Sequence, residues 1–289
     1  MASSLFSSPY LILRKTTHGG RSIFAQTPIP AGTIVHTSTS PYASVIYKEF
    51  RKEICAWCFA YDGRKGWKIA DDDVGGQRFC SETCKVSYLQ DGERENAIQQ
   101  RVRTALNGAT RKLQKSRQRP PPGDSLVSHD TKLPLESFDA VWCEVESQDF
   151  IGVDTFLESE ELDVARFVAS ALAQHHIYSS QSSYDDPILS LQANELQNII
   201  ERPYILPTYL QVYRFLRSAL SSIPEMMTYF GGGEIGGYNW VRALLSRDIG
   251  NSFGIWEEVD KGERDLFGWG IWVDASFFNH SAPYPPFVL

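Results

Sequence analysis

The chain is predicted to fold as an α+β protein. Short apolar runs between turn residues fill residues 10–47, and helical periodicity dominates 133–230. After residue 231 the sequence changes again, to glycine-punctuated, aromatic runs. Its 289 residues allow one large domain or two of ordinary size, given the usual ~100–200 residues per domain. A hydrophobic fraction of 42% and a charged fraction of 22% exclude a mostly disordered chain. The net charge of −7 excludes general nucleic-acid binding, so any such contact must come from a local patch. No stretch reaches the ~18 apolar residues of a membrane span. Met1 to Leu13 lacks the charged start of a signal peptide. A soluble, intracellular protein with no membrane partner is expected.

From the N-terminus, Tyr10 to Leu13 and Ser22 to Ala25 read as strands separated by Gly19-Gly20. Ile29-Pro30-Ala31-Gly32 predicts a type I turn, and Thr33 to His36 a following strand, with His36 on its face. Four of the five cysteines come next, as Cys55-x2-Cys58, 21 intervening residues, then Cys80-x3-Cys84. Tetrahedral zinc takes this pattern: one pair from a tight turn, a second from a distant turn or helix start. Ile54 to Cys58 reads as the knuckle. Phe79-Cys80-Ser81 reads as a strand running into a helix capped by Ser81. The alternative is four unrelated buried thiols. Cys143 stands apart, as a small buried hydrophobe.

Residues 85–119 read as helical and then basic. Arg101, Arg103, Arg111, Lys112, Lys115, Arg117 and Arg119 occur with no acid between them, so this run could meet an acidic or nucleic-acid partner. A solvated helix face leading to the Pro120-Pro121-Pro122-Gly123 linker is the other reading. Val164, Phe167, Val168, Ala171 and Leu172 form a buried helical stripe, with Asp163 or the preceding glutamates at its first turn and His175 and His176 closing it. Further stripes run through Ile188, Leu191, Leu196, Ile199 and Ile200, and through Tyr209, Tyr213, Leu216 and Leu220. The glycines at 231–233 and 236–237 match no phosphate-binding spacing.

Five pieces in order resemble one family. Gly20 to Ala25 followed by Ile29 to Gly32 resembles the opening strands of SET domains, protein-lysine methyltransferases that use S-adenosylmethionine. The cysteine knuckle resembles the MYND finger that interrupts the SET fold in the SET-and-MYND type, and the helical stretch matches that type's helical insert. Asn251-Ser252-Phe253 resembles the family's Asn-x-Phe segment, and Phe278-Asn279-His280-Ser281 its Asn-His-Ser motif. The resemblance implies a SET β-fold of small sheets over 8–50 and 231–289. A zinc-binding insert would occupy 51–95, a basic helix and linker 96–132, and a helical insert 133–230. It implies that Arg21, Ser22, Ile23, Asn251, Asn279 and His280 hold S-adenosylmethionine, and that Cys55, Cys58, Cys80 and Cys84 hold one structural zinc.

The departures shape the remaining expectations. Ala282 stands where the family has cysteine, Pro285-Pro286 lacks the usual asparagine, and no later tyrosine segment follows. The chain is therefore expected to be a truncated member, with lysine methylation absent or impaired, cofactor binding weak or absent, and no assignable catalytic residue. The second zinc site of a full finger lacks its ligands, so a half-finger is expected. The alternative function is a non-catalytic, zinc-containing protein-interaction module. Expected partners are a histone or non-histone lysine substrate, met by a monomer in nucleus or cytoplasm.

Overall fold

The computed structural model describes residues 8–17, 20–71, 76–93, 98–116, 137–148, 157–181, 186–232, 237–258 and 262–278. The Pro120–Gly123 linker, Arg117, Arg119, Asn279 and His280 lie outside these residues.

Strands β1 (Leu11–Lys15) and β2 (Arg21–Ala25) make an antiparallel hairpin, with Leu11 opposite Ala25 and Lys15 opposite Arg21. The Thr16 amide donates to the Gly20 carbonyl at 2.6 Å, and Gly20 adopts φ +68°, a conformation glycine reaches without a side-chain clash. The turn expected at 29–32 forms one residue later. Thr33 N–H donates to the Pro30 carbonyl at 3.2 Å and Gly32 sits at φ +80°. A glycine with positive φ at the third position is the type II pattern, so the type I assignment is corrected. Thr33 to His36 does not form a strand either. Ile34 is 81% exposed, so its side chain has no buried face against a sheet to hold the run in one.

Strand β3 (Ala43–Ile46) begins the second sheet, and the hairpin of β4 (Ile69–Asp71) and β5 (Gln77–Phe79) follows in the cysteine-rich segment. Near the C-terminal end, β6 (Phe253–Trp256) and β7 (Leu266–Ile271) join β3 in an antiparallel sheet of order β3–β7–β6. Gly268 and Gly270 make that union possible. A Cβ on Gly268 would fall inside the Val45 carbonyl, and one on Gly270 would lie 3.0 Å from the Ala43 carbonyl.

The helices are α1 (Glu82–Glu93), α2 (Ile98–Ser116), α3 (Ser137–Ser147), α4 (Ser159–Gln181), α5 (Glu195–Glu201), α6 (Ile205–Ala219), α7 (Pro224–Met227) and α8 (Trp240–Asn251). Helix α4 is central and packs on β3, α2, α6 and α8. Its start is stabilised by Glu161, whose carboxylate accepts the Glu158 N–H at 2.9 Å, the backbone-capping half of a capping box. The expected stripe of Phe167, Val168, Ala171 and Leu172 is buried, and Ala165, Ala169 and Ala173 bury a second face. Helix α6 buries Tyr209, Tyr213 and Leu216, as its periodicity predicts.

Two readings of the helical stretch are corrected. Ile188 to Ile200 is not one stripe but a 3-10 turn (Pro187–Ser190) and the short α5, with Leu196 43% and Ile200 56% exposed. Nor does His175 close α4, which continues to Gln181. His175 is buried against Trp240, ring centroids 3.4 Å apart, and its Nδ1 meets Asp186 Oδ2 at 2.8 Å. Tyr42 donates to the same oxygen at 2.8 Å, so His175 and Asp186 serve packing rather than a helix dipole.

The main hydrophobic cluster joins β3 to α2, α3, α4, α6, α7 and α8. A second, smaller cluster of Ile54, Ile255 and Phe267, flanked by Phe50, Phe59, Tyr61 and Trp272, seats the cysteine-rich segment on the three-stranded sheet. Mixed helices and small sheets are thus observed, an α+β arrangement compatible with a SET-like fold. Among the described residues no helix is long and apolar enough to cross a membrane.

Candidate functional site

Two constellations stand out, a thiol cluster and a junction of distant segments at the β1–β2 hairpin. In the first, Cys55 N–H donates to the Ala60 carbonyl at 2.9 Å and Phe59 N–H to the Cys55 carbonyl at 3.0 Å. These bonds wind Cys55 and Cys58 into one tight knuckle, with Phe59 at φ +62°. Ala56 N–H donates to the Arg78 carbonyl at 2.8 Å, which ties the knuckle to β5. β5 then delivers Cys80, and Ser81 caps α1: its hydroxyl accepts the Cys84 N–H at 3.1 Å. Cap and second cysteine pair are therefore one local device.

The four Sγ atoms lie within 4.8 Å of one another, and both Cys58–Cys80 and Cys80–Cys84 are separated by 3.5 Å. Tetrahedral zinc at ~2.3 Å from each sulfur needs edges of roughly 3.8 Å, so the thiols could hold one such ion. All four are free of disulfides. Burial pushes the Cys58 and Cys80 thiols up, and neighbouring thiols reinforce the rise. A bound cation would reverse that crowding by sharing the thiolate charge. Cys143, expected to be buried, is exposed on α3.

At the junction, Arg21 opens β2. Its Nη2 donates to the Ser190 carbonyl, and its guanidinium lies 5.3 Å from the Phe277 ring centroid. Ser22 is buried, and Ile23 packs on the main hydrophobic cluster. Asn251 ends α8. Its Nδ2 donates to the Gln192 carbonyl at 3.0 Å and the Arg247 carbonyl at 2.7 Å, while its own carbonyl accepts Ser276 Oγ at 2.9 Å. Arg21 and Asn251 are thus brought to a common wall formed by residues 190–194 and the short 3-10 helix Ala275–Phe277.

Sequence reasoning missed that wall. Gln192 Oε1 lies 3.4 Å from where a Cβ on Gly20 would stand, and a Cβ on Gly250 would collide with the Asn194 side chain. Nothing local marks Ser190, Gln192 or Asn194, whereas Ser276 and Phe277 sit beside the Asn-His-Ser stretch and could have been found there.

Asp248, one turn before Asn251, ties the end of α8 to the three-stranded sheet. Its carboxylate accepts Ser252 Oγ, and Trp269 Nε1 at 3.1 Å, linking α8 to β6 and β7. Burial pushes its pKa up to about 6.

The basic run is dispersed. Arg101 is paired with Glu225 at 2.7 Å, and Arg103 lies 4.0 Å from the Tyr88 ring centroid. Arg111, Lys112 and Lys115 extend along the exposed side of α2.

An α+β scaffold with a four-cysteine cluster and a junction that brings together an arginine, an asparagine and a phenylalanine is what the fold and site define. No model of a known protein family matches the chain. The chain is similar to the "Potential protein lysine methyltransferase SET6" of Saccharomyces cerevisiae, 27% identical over 310 aligned residues, which cover 95% of this chain and 79% of the yeast protein.

Proposed function

We propose that the chain is a SET-type, S-adenosylmethionine-dependent protein-lysine methyltransferase, its transfer impaired by departures such as Ala282 after the Asn-His-Ser stretch, with one structural zinc on Cys55, Cys58, Cys80 and Cys84. The observation that carries the reading is the convergence of the Gly20-Arg21 turn, Asn251 and the Ser276-Phe277 segment on one junction. Similarity to a potential protein lysine methyltransferase along 95% of the chain supports it.

When bound, S-adenosylmethionine supplies an activated methyl group on sulfonium sulfur, so the protein has no strong nucleophile to provide. Its tasks are to align donor and amine, exclude water and let the amine lose its proton. Arg21, Ser22, Ile23, Asn251, Asn279 and His280 are the residues proposed to hold the cofactor. The guanidinium of Arg21 can pair with a carboxylate, and the Asn251 amide can hydrogen-bond polar groups, while Phe277 gives an apolar face. Bonds from Asn251 to the 190–194 segment hold that amide in place before a ligand arrives.

Calorimetry with S-adenosylmethionine and zinc-loaded protein tests the reading, together with transfer of labelled methyl to histone and non-histone proteins. Saturable binding that weakens at least tenfold in Asn251→Ala supports it. A folded, zinc-loaded protein with no saturable binding would leave the non-catalytic interaction module as the function.

A further inference from the structure

A cleft of about 130 Å³ opens where the cysteine-rich segment meets α2, α4 and β3. Its walls are Ala56, Phe59, Gln77 and Tyr88 on one side and Val102, Leu106, Ala169 and Ala173 on the other. Arg51, Arg103 and Arg166 line it, and among the described lining residues there is no carboxylate.

The charge there is unbalanced. Arg51 Nη2 and Arg166 Nη1 both bond one oxygen, Asp163 Oδ1, at 2.5 and 3.0 Å, with all three side chains largely buried. Glu49, on the 3-10 turn Lys48–Phe50, adds an exposed negative charge near Arg51. Two guanidinium groups therefore share one buried carboxylate, and Arg103, the third cation on the lining, lies 4.0 Å from the Tyr88 ring centroid instead. Burial foremost, and then repulsion from Arg166, pulls Arg51 down to about 10.

Unused donors line the same space. Arg51 spends Nε on the Ile46 carbonyl and Nη2 on Asp163, and Arg103 spends Nη2 on Gln99. Arg166 bonds only Asp163 among the described residues. The side chains of Ser44, Gln77, Asn107 and Ser170 reach the cleft without an intramolecular hydrogen bond among the described residues. Donor-rich, cation-rich and lacking carboxylates, such a space matches an oxyanion.

We propose that this cleft is a binding site for a small oxyanion, a phosphate- or carboxylate-bearing molecule held by Arg51, Arg103 and Arg166. Occupancy bridges the cysteine-rich segment to α2 and α4, because each contributes a wall. The site is too confined for a nucleic-acid strand and needs no assumption about the transferase reaction.

Titration of zinc-loaded full chain with inorganic phosphate, and separately with succinate, at constant ionic strength tests the proposal by calorimetry. The expected result is saturable binding of one or both anions, weakened at least tenfold in Arg103→Gln and abolished in Asn107→Leu, which fills the cleft without removing charge. Phosphate alone binding assigns a phosphate-type ligand, succinate alone a carboxylate. Arg166→Gln tests the buried pair, and its helix content and zinc content are checked alongside. Should that variant misfold, Arg103→Gln and Asn107→Leu decide. No saturable binding of either anion, or equal binding in the folded variants, overturns the site.

Discussion

Asp248 is a buried carboxylate whose environment works against its charge, and the sign of the consequence can be derived. Its pKa of about 6 in the folded chain exceeds the ~3.9 of an unfolded aspartate. The native state therefore holds more protons than the unfolded state in that window. The group's favourable contribution is full below about pH 4 and is lost as pH rises through about 6, a swing of roughly 3 kcal/mol. Asp248→Asn should remove that swing: relative to wild type, the variant gains about 3 kcal/mol between pH 4 and 7 in urea unfolding. An identical difference at both pH values would contradict the assignment. Arg242 illustrates the opposite case. It is buried, bonded to both Glu195 oxygens at 3.0 and 2.9 Å and to Asp139 at 2.7 Å, and lies 4.0 Å from the Tyr238 ring centroid. Arg242→Met leaves the mostly buried Glu195 without its cation and should cost about 3–5 kcal/mol. A loss below about 1 kcal/mol at pH 7 would show that Glu195 finds water instead.

At the level of single elements, the β5–α1 junction couples folding to metal chemistry. Ser81 caps α1 through the amide of Cys84, so one hydroxyl fixes both the helix start and a sulfur position. Ser81→Ala should cost about 1 kcal/mol and weaken zinc retention against a chelator. Cys80→Ser should abolish retention, and metal analysis of the reduced wild-type chain should return about one equivalent, as four ligands in one tetrahedral shell require. Two tightly held equivalents would refute the single-site geometry. This junction was legible because a cap and a cysteine pair are patterns of neighbouring residues. Helix α5 was not: Leu196, Ile199 and Ile200 have helical spacing, yet Ile199 alone of them is buried. Packing of a seven-residue helix against α8 and α6 decided which face turned inward.

On the scale of the whole molecule, the two hydrophobic clusters divide the labour. No described residue of 51–95 belongs to the main cluster, which is built around α4 and α6. Removing zinc should therefore release the cysteine-rich segment while leaving most helical circular dichroism in place, with new protease cleavage confined to 51–95. Complete loss of the helical signal with the metal would show that the small cluster of Ile54, Ile255 and Phe267 supports the entire fold. The junction at the β1–β2 hairpin belongs to this scale as well. Arg21 reaches a carbonyl 169 positions away and Asn251 one 59 positions away, so its geometry depends on hairpin, helical core and C-terminal segment together.

Local physics reaches only a few residues, and within that reach the sequence by itself determined a good deal. It specified the two cysteine pairs and the Ser81 cap, the β1–β2 hairpin broken at Gly20, and the buried faces of α4 and α6. Beyond it, tertiary structure decided the rest. The 30–33 turn took its type from Gly32 at positive φ, and the run after it stayed out of every described sheet. His175 became a packing residue because Trp240 and Asp186 arrive from distant elements. Gln192 and Asn194 joined the junction at the β1–β2 hairpin, and Arg51, Arg103 and Arg166 came to share one cleft, for the same reason. Burial and charge balance are properties of neighbours in space, and those neighbours exist only once the chain has packed.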